Sequence, residues 1–384
     1  MKCFRSIIVI CFITLQSLAY AETNQKIDDL AHAFMAKNNV AGMSIAVIDN
    51  GKTTLLNYGY ANEVKKTPTT NKTIYRIASF SKTYTATLAV NAAVDGKVDL
   101  NTSINKYLPD LSANPNLDKI TVSTLLAHVS SLPFNFIPEP ETYAEAIKDL
   151  VQLKPSVLPG SRYQYSNLGI GLTGYILQNS YAESYDQLLA QKIAQPLNLT
   201  STYLNLPVDK ERLVALGHEG NNKIRPYDRN LDVWFAAASL KSSISDMAKF
   251  LNAQLNSNSL QDKTLAKAIV LMHQNKYCFT NGLACEQLGW QAHIVSELDN
   301  SVEDSLFKGM DKNGNPTFDT KSITTTNTLV NKKVFIDKSC GGYGMSGYMT
   351  YIPAQKVGVV ILLNKTVGAQ RIRLGRDVLK TLIK

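Results

Sequence analysis

The chain predicts a mixed α/β (α+β) fold: an antiparallel sheet flanked by N- and C-terminal helices, with a mostly helical lobe inserted between its strands. Three observations carry this expectation. Strand-like runs lie on both sides of a long helical stretch, residues 79–285. Asn50-Gly51 between two β-rich runs signals a hairpin near the N-terminus. Helical spacing recurs close to each end of the chain. At 384 residues, with 45% hydrophobic and 18% charged residues, the chain has enough apolar material for a large core and is not of disordered composition.

The first residues, "MKCFRSIIVICFITLQSLAYAETNQ", place Lys2 and Arg5 before an apolar run and Ala19-Tyr20-Ala21, the order of a secretory signal peptide with cleavage after Ala21. The apolar run is about a dozen residues, and a membrane span needs roughly twenty, so no stable membrane anchor is expected. Removing residues 1–21 lowers the formal charge from +9 to +7. The basic residues are scattered, so the charge does not predict nucleic-acid binding.

Next, Ile27, Leu30, Ala31 and Phe34 mark an amphipathic helix, followed by the strands "AGMSIAVID" and "TTLLNYGYA". "SKTYTATLAVNAAVDGK" reads as a helix apolar on all sides, which belongs in a core. "TVSTLLAHV", "YAEAIKDLVQL", "GLTGYILQNSY", "SYDQLLAQKIA" and "SISDMAKFLNAQL" are further helices. After "LGWQAHIV" strands return in "KKVFIDKS", "GYMTYIP" and "KVGVVILLN", and "AQRIRLGRDVLKTLIK" closes the chain as a helix. The expected division is residues 22–78 plus 286–384 as a sheet lobe and 79–285 as a helical lobe, with a site between them and the whole acting as one functional domain. Nothing marks a partner surface, so a monomer is expected.

Three cysteines remain beyond the leader. Cys278 and Cys285 flank Asn281-Gly282 and could close a small loop in an oxidising compartment, which leaves Cys340. The five histidines are isolated, without metal-ligand spacing, and no metal is expected.

Three short motifs could carry chemistry. Ser79 and Lys82, at i and i+3, share one face of a helix, where an amine can take a hydroxyl proton. Ser103/Lys106 and Ser305/Lys308 repeat the spacing, but only Ser79 opens the long apolar helix, whose N-terminus favours developing negative charge. The plain alternative is that Ser79 is an N-cap, and Ser81 is a rival nucleophile. Tyr165-Ser166-Asn167 precedes another apolar helix, and a phenol near an ammonium is more easily deprotonated; a capping loop with a core tyrosine is the alternative. In "DKSCGG", Lys338 would point into a cleft, with the Gly341 N–H facing an oxyanion; a solvated edge-strand lysine is the alternative.

Together, S-x-x-K, Y-S-N and K-S-x-G in this order resemble the serine β-lactamases and penicillin-binding proteins, and most closely the class C β-lactamases. The likeness extends over nearly the whole chain beyond the leader. It includes "AGMSIAVIDNGKTTLLNYGYA", "ITVSTLLAHVSSLPFN", "VLPGSRYQYSNLGIGLTG" and "GYMTYIPAQKVGVVILLNK". The resemblance implies a periplasmic hydrolase that opens the amide of β-lactams through an acyl-enzyme on Ser79, without a cofactor. Lys82 and Tyr165 would carry protons and Lys338 would supply positive potential. The N–H groups of Ser79 and Gly341 would form the oxyanion hole, and Asn135, Asn167 and Ser339 would bind substrate.

Departures from the family pattern gather at the rim. Arg76 stands where the family has an acid, Ala78 where it has glycine, Asn135 where it has glutamine, and Thr366 and Ala369 where it offers carboxylate-binding asparagines. Arg371 or Arg373 is the candidate replacement for those asparagines. Cys340 fills a glycine position and is expected to pack on the strand's far face, away from substrate. The alternatives are an esterase or D-alanyl-D-alanine peptidase of the same fold, or a penicillin-binding sensor that acylates without turnover.

Overall fold

The computed structural model describes residues 21–383, apart from 221, 230, 231, 275, 300–306, 311–315 and 319. The leader read at residues 1–21 and the Ser305 half of one S-x-x-K pair therefore fall outside the described residues, except for Ala21. The first helix, α1, spans residues 21–38. No helix among the described residues is long and apolar enough to cross a membrane.

The sheet begins with the hairpin β1 (Gly42–Asp49) and β2 (Lys52–Asn62), turned at Asn50-Gly51, and β3 (Thr67–Pro68) follows. Then come β4 (Arg162–Tyr163), β5 (Tyr277–Phe279), β6 (Ala284–Glu286), β7 (Gln291–Ile294) and β8 (Lys321–Thr324). The last strands are β9 (Val334–Gly342), β10 (Met345–Ile352) and β11 (Val357–Leu363). Their spatial order is β3-β2-β1-β11-β10-β9-β7-β6-β5-β8-β4, and every pairing is antiparallel. The expected sheet from both ends of the chain is present. Strands β4 and β5, supplied from within residues 79–285, and β6, which crosses position 285, extend it toward one edge.

Burial follows the sequence pattern. The central strands β10 and β11 are buried along their whole length, because both faces of the sheet carry a hydrophobic core packed by helices. Helix α2 (Ser81–Val94) is buried from Ser81 to Ala92, as its all-round apolar character predicts. The other helices include α3 (Val122–Leu126), α4 (Tyr143–Gln152), α5 (Asn167–Tyr181), α6 (Phe235–Ala238) and α7 (Ile244–Leu255). The sequence reading omitted α8 (Lys263–Met272), which packs on α2. The terminal helix α9 (Gln370–Lys380) lies on β10 and β11.

Two packing details position the site. Gly171 of α5 lies so close to α6 that a methyl there would sit 2.6 Å from the Trp234 ring, and this approach carries the Ala237 carbonyl toward α2. Buried Asp337 of β9 accepts hydrogen bonds from the Tyr348 hydroxyl at 2.5 Å and from Arg376 Nη2 at 3.2 Å, which joins β9, β10 and α9.

Candidate active site

Ser79 lies in a short 3-10 turn, Ala78–Phe80, that leads into α2. It therefore precedes the α-helix instead of opening it, and its turn has no side-chain cap hydrogen bond, which removes the N-cap alternative. Ala78 holds φ 41°, a left-handed conformation that favours glycine, so the backbone is strained beside this serine. Ser79 is half-buried, whereas Ser81 is fully buried with its Oγ accepting the Leu240 N–H at 3.1 Å. Ser103 caps a separate turn by accepting the Asn105 N–H.

Lys82 is fully buried. Its Nζ donates to Ser79 Oγ at 3.3 Å, to Asn167 Oδ1 at 2.7 Å and to the Ala237 carbonyl at 3.0 Å. One amine thus links the turn, the start of α5 and α6. Burial lowers its pKa most; the Tyr165 phenol opposes that shift and Lys338 adds to it, leaving the pKa below the ordinary lysine value.

Tyr165 stands directly before α5, whose cap is Ser166 Oγ accepting from Gly169 N–H. The Lys82 and Lys338 ammonium groups each lie 4.9 Å from its ring centre. Burial raises the pKa of the phenol, but Lys338, Lys82 and hydrogen bonding to Ser79 and Lys82 outweigh burial and lower it. A buried amine and a buried phenol are therefore each shifted toward giving up a proton.

Strand β9 lies against the Ser79 turn. Its register with β7 ends at Gln291 opposite Asp337, while its register with β10 continues through Gly342. Ser339 is half-buried and Gly341 exposed on this stretch. Arg371, at the start of α9, is buried and donates through Nη1 to the Val367 and Gly368 carbonyls at 2.8 and 2.7 Å. Its Nη2 is 3.9 Å from where a Cβ on Gly341 would stand, whereas Arg373 is exposed. Arg371 is thus the arginine beside the β9 edge.

Ser79, Lys82, Tyr165, Asn167 and Lys338 converge, although they span 259 positions of the chain. Asn135 follows Phe134, whose ring stacks on Tyr165 at 6.1 Å. Arg76 is buried with its guanidinium 3.6 Å over the Tyr343 ring, at the turn that ends β9. Cys278 and Cys285 face each other across β5 and β6 and form a disulfide.

Cys340 does pack as a hydrophobe, at 2% exposure, but strand alternation puts it on the Lys338 face and not the far one. It lies over Gly347, where Phe80 also closes in. Two groups were missed in the sequence reading. Ala237 contributes a backbone carbonyl, which no side chain announces. His128, read as one of five isolated histidines, lies with its ring centre 4.3 Å from that of Tyr165.

Known proteins resemble this arrangement across most of its length. A family model described as Beta-lactamase matches residues 27–382. A β-lactamase of Pseudomonas fluorescens is 31% identical over 366 residues, covering 94% of this chain and 99% of its own. One from Providencia stuartii is 28% identical over 352 residues, covering 90% and 88%. A solved class C β-lactamase in complex with cefoxitin superimposes with a TM-score of 0.84 at 26% identity, covering 94% of this chain and 99% of that one. Another class C β-lactamase structure gives 0.83 at 26% identity, covering 94% and 98%.

Proposed function

This chain belongs to the β-lactamase family, as a class C serine enzyme, and from that membership we propose that it hydrolyses β-lactams through an acyl-enzyme on Ser79. Ser79 Oγ attacks the lactam carbonyl while Lys82 and Tyr165 take its proton. Collapse of the tetrahedral intermediate breaks the C–N bond, and the same pair delivers the proton to the ring nitrogen. Tyr165 then helps a water molecule attack the ester, which releases the ring-opened acid and restores Ser79. The N–H groups of Ser79 and Gly341 hold the oxyanion.

One observation carries this reading: a buried amine 3.3 Å from Ser79 Oγ, with its pKa lowered, beside a phenol also lowered. Lys338 makes the phenolate easier to form. Asn167 holds Lys82 and, with Asn135, receives the acyl side-chain amide, while Ser339 binds the substrate carboxylate. Arg371 adds positive charge for that carboxylate, in place of the asparagines absent at positions 366 and 369. The chain acts as a monomer in the periplasm after loss of its leader, its two lobes, 22–78 with 286–384 and 79–285, forming one functional unit.

The altered rim supports a second reading. Arg76, buried against Tyr343, changes the end of the cleft and would suit an ester or a D-alanyl-D-alanine peptide on the same machinery. The mature protein incubated with a chromogenic cephalosporin separates these readings. Continuous hydrolysis supports the first. Cleavage of a p-nitrophenyl ester or of a D-alanyl-D-alanine peptide, with the cephalosporin untouched, supports the second. A stable adduct without turnover would mark a sensor instead.

A further inference from the structure

His128 is tied to residues 163–166 by backbone and by ring. The Gln164 N–H donates to its carbonyl at 2.7 Å, and the Ser166 N–H donates to its Nδ1 at 3.2 Å. Its ring lies 4.3 Å from that of Tyr165, tilted by 39°, and 5.9 Å from that of Tyr163. The side chain is 3% exposed, and the backbone holds φ 55°. A ring nitrogen that accepts a hydrogen bond carries no proton, so the imidazole is neutral with its proton on Nε2. Burial, and then Lys338 and Lys82, push its pKa well below the ordinary histidine value, in agreement with that geometry.

We propose that His128 is a positioning residue for Tyr165: its unprotonated Nδ1 anchors the Ser166 amide and its ring backs the phenol, so that the hydroxyl stays between Lys82 and Lys338. The inference rests on Tyr165 carrying protons as proposed above. The titratable groups that face His128 are Lys82 from α2, Lys338 from β9, and the phenols of Tyr163 and Tyr165. Protonating His128 would remove the acceptor that fixes the segment and add a third positive charge beside two others.

Two substitutions separate anchoring from bulk. In His128→Asn the Oδ1 occupies the place of Nδ1, tolerates the left-handed backbone and takes no proton in this pH range. In His128→Phe the ring remains and the acceptor is gone. The measurement is kcat and KM for a chromogenic cephalosporin from pH 4 to 9, on proteins whose melting temperatures are recorded alongside, with Tyr165→Phe as the reference.

The expected result for His128→Phe is a kcat lower by about 10- to 100-fold with KM within about threefold, the usual cost of a lost outer partner. His128→Asn should recover to within about threefold of the natural protein near neutral pH, because its Oδ1 restores the acceptor for the Ser166 amide. The inference is overturned if His128→Phe keeps the natural kcat. It is also overturned if His128→Asn melts normally but is as slow as His128→Phe. Full activity in Tyr165→Phe would instead overturn the catalytic reading itself. An inactive Tyr165→Phe beside an unaffected His128→Phe would overturn only the positioning role.

Discussion

The Lys338 ammonium lies 4.9 Å from the centre of the Tyr165 ring, joining residues 173 positions apart in the chain. Lys338 favours the charged form of the phenol and disfavours the charged form of Lys82. Lys338→Met should therefore raise the pKa of both groups. A base works above its pKa, so the acid limb of kcat/KM should move to higher pH by about one unit, with about a tenfold loss or more at neutral pH. Lys338→Arg keeps the charge and should shift less. A pH profile with a chromogenic cephalosporin decides this, and an unmoved limb in Lys338→Met contradicts it.

Arg371 stands beside the β9 edge, and Arg373 faces solvent. Arg371→Ala should raise KM for a carboxylate-bearing cephalosporin by about 10-fold or more, the cost of a charge-assisted contact. For the same cephalosporin with its carboxylate esterified, KM should hardly change. Arg373→Ala should match the natural protein on both. Equal losses on the free acid and the ester would assign Arg371 a purely structural part.

Asp337 carries a stability prediction. Burial raises its pKa, but His293, Arg376 and Tyr348 outweigh burial and hold it well below the usual carboxylate range. A depressed folded pKa gives stability that is complete above the unfolded value of about 3.9 and is lost as pH falls through the folded value. Asp337→Asn should cost about 3 to 5 kcal/mol at neutral pH, because it leaves Arg376 buried without its carboxylate. Urea unfolding at pH 7 and pH 3 should show that the penalty shrinks in acid. An undiminished penalty at the lower pH would contradict the linkage.

Two glycines of α5 should behave oppositely. A methyl at Gly169 would meet its nearest neighbours at 3.5 Å, ordinary contact, and alanine should be neutral or stabilise the helix by up to about 1 kcal/mol. A methyl at Gly171 would strike Trp234 at 2.6 Å and displace α6, whose Ala237 carbonyl holds Lys82. Gly171→Ala should therefore cost about 1 to 3 kcal/mol in stability and lower kcat as well. Thermal melts and initial rates compare the pair.

Much of this site was legible because local physics sets it. The i, i+3 spacing of Ser79 and Lys82, the apolar helix behind them and the Asn50-Gly51 hairpin are written in adjacent residues. The family likeness supplied what spacing alone left open at Tyr165 and Lys338. Contacts that depend on tertiary approach stayed hidden. The Ala237 carbonyl is backbone chemistry, and the position of Arg371 depends on how α9 crosses β10. The anchoring of Ser166 by His128 links positions 38 apart through a single ring nitrogen. Helix α8 was passed over although its Leu265, Ala268, Ile269 and Met272 recur at helical spacing, a signal that was present in the sequence.

The central claim is that Ser79 is the nucleophile, and its most direct test is to trap the covalent intermediate. The protein would be quenched in acid during turnover of a slowly hydrolysed β-lactam, digested, and mapped by mass spectrometry. The account predicts one added β-lactam mass on the peptide that contains Ser79, absent in Ser79→Ala together with all turnover. An adduct on Ser81, or continued hydrolysis by Ser79→Ala, would contradict it.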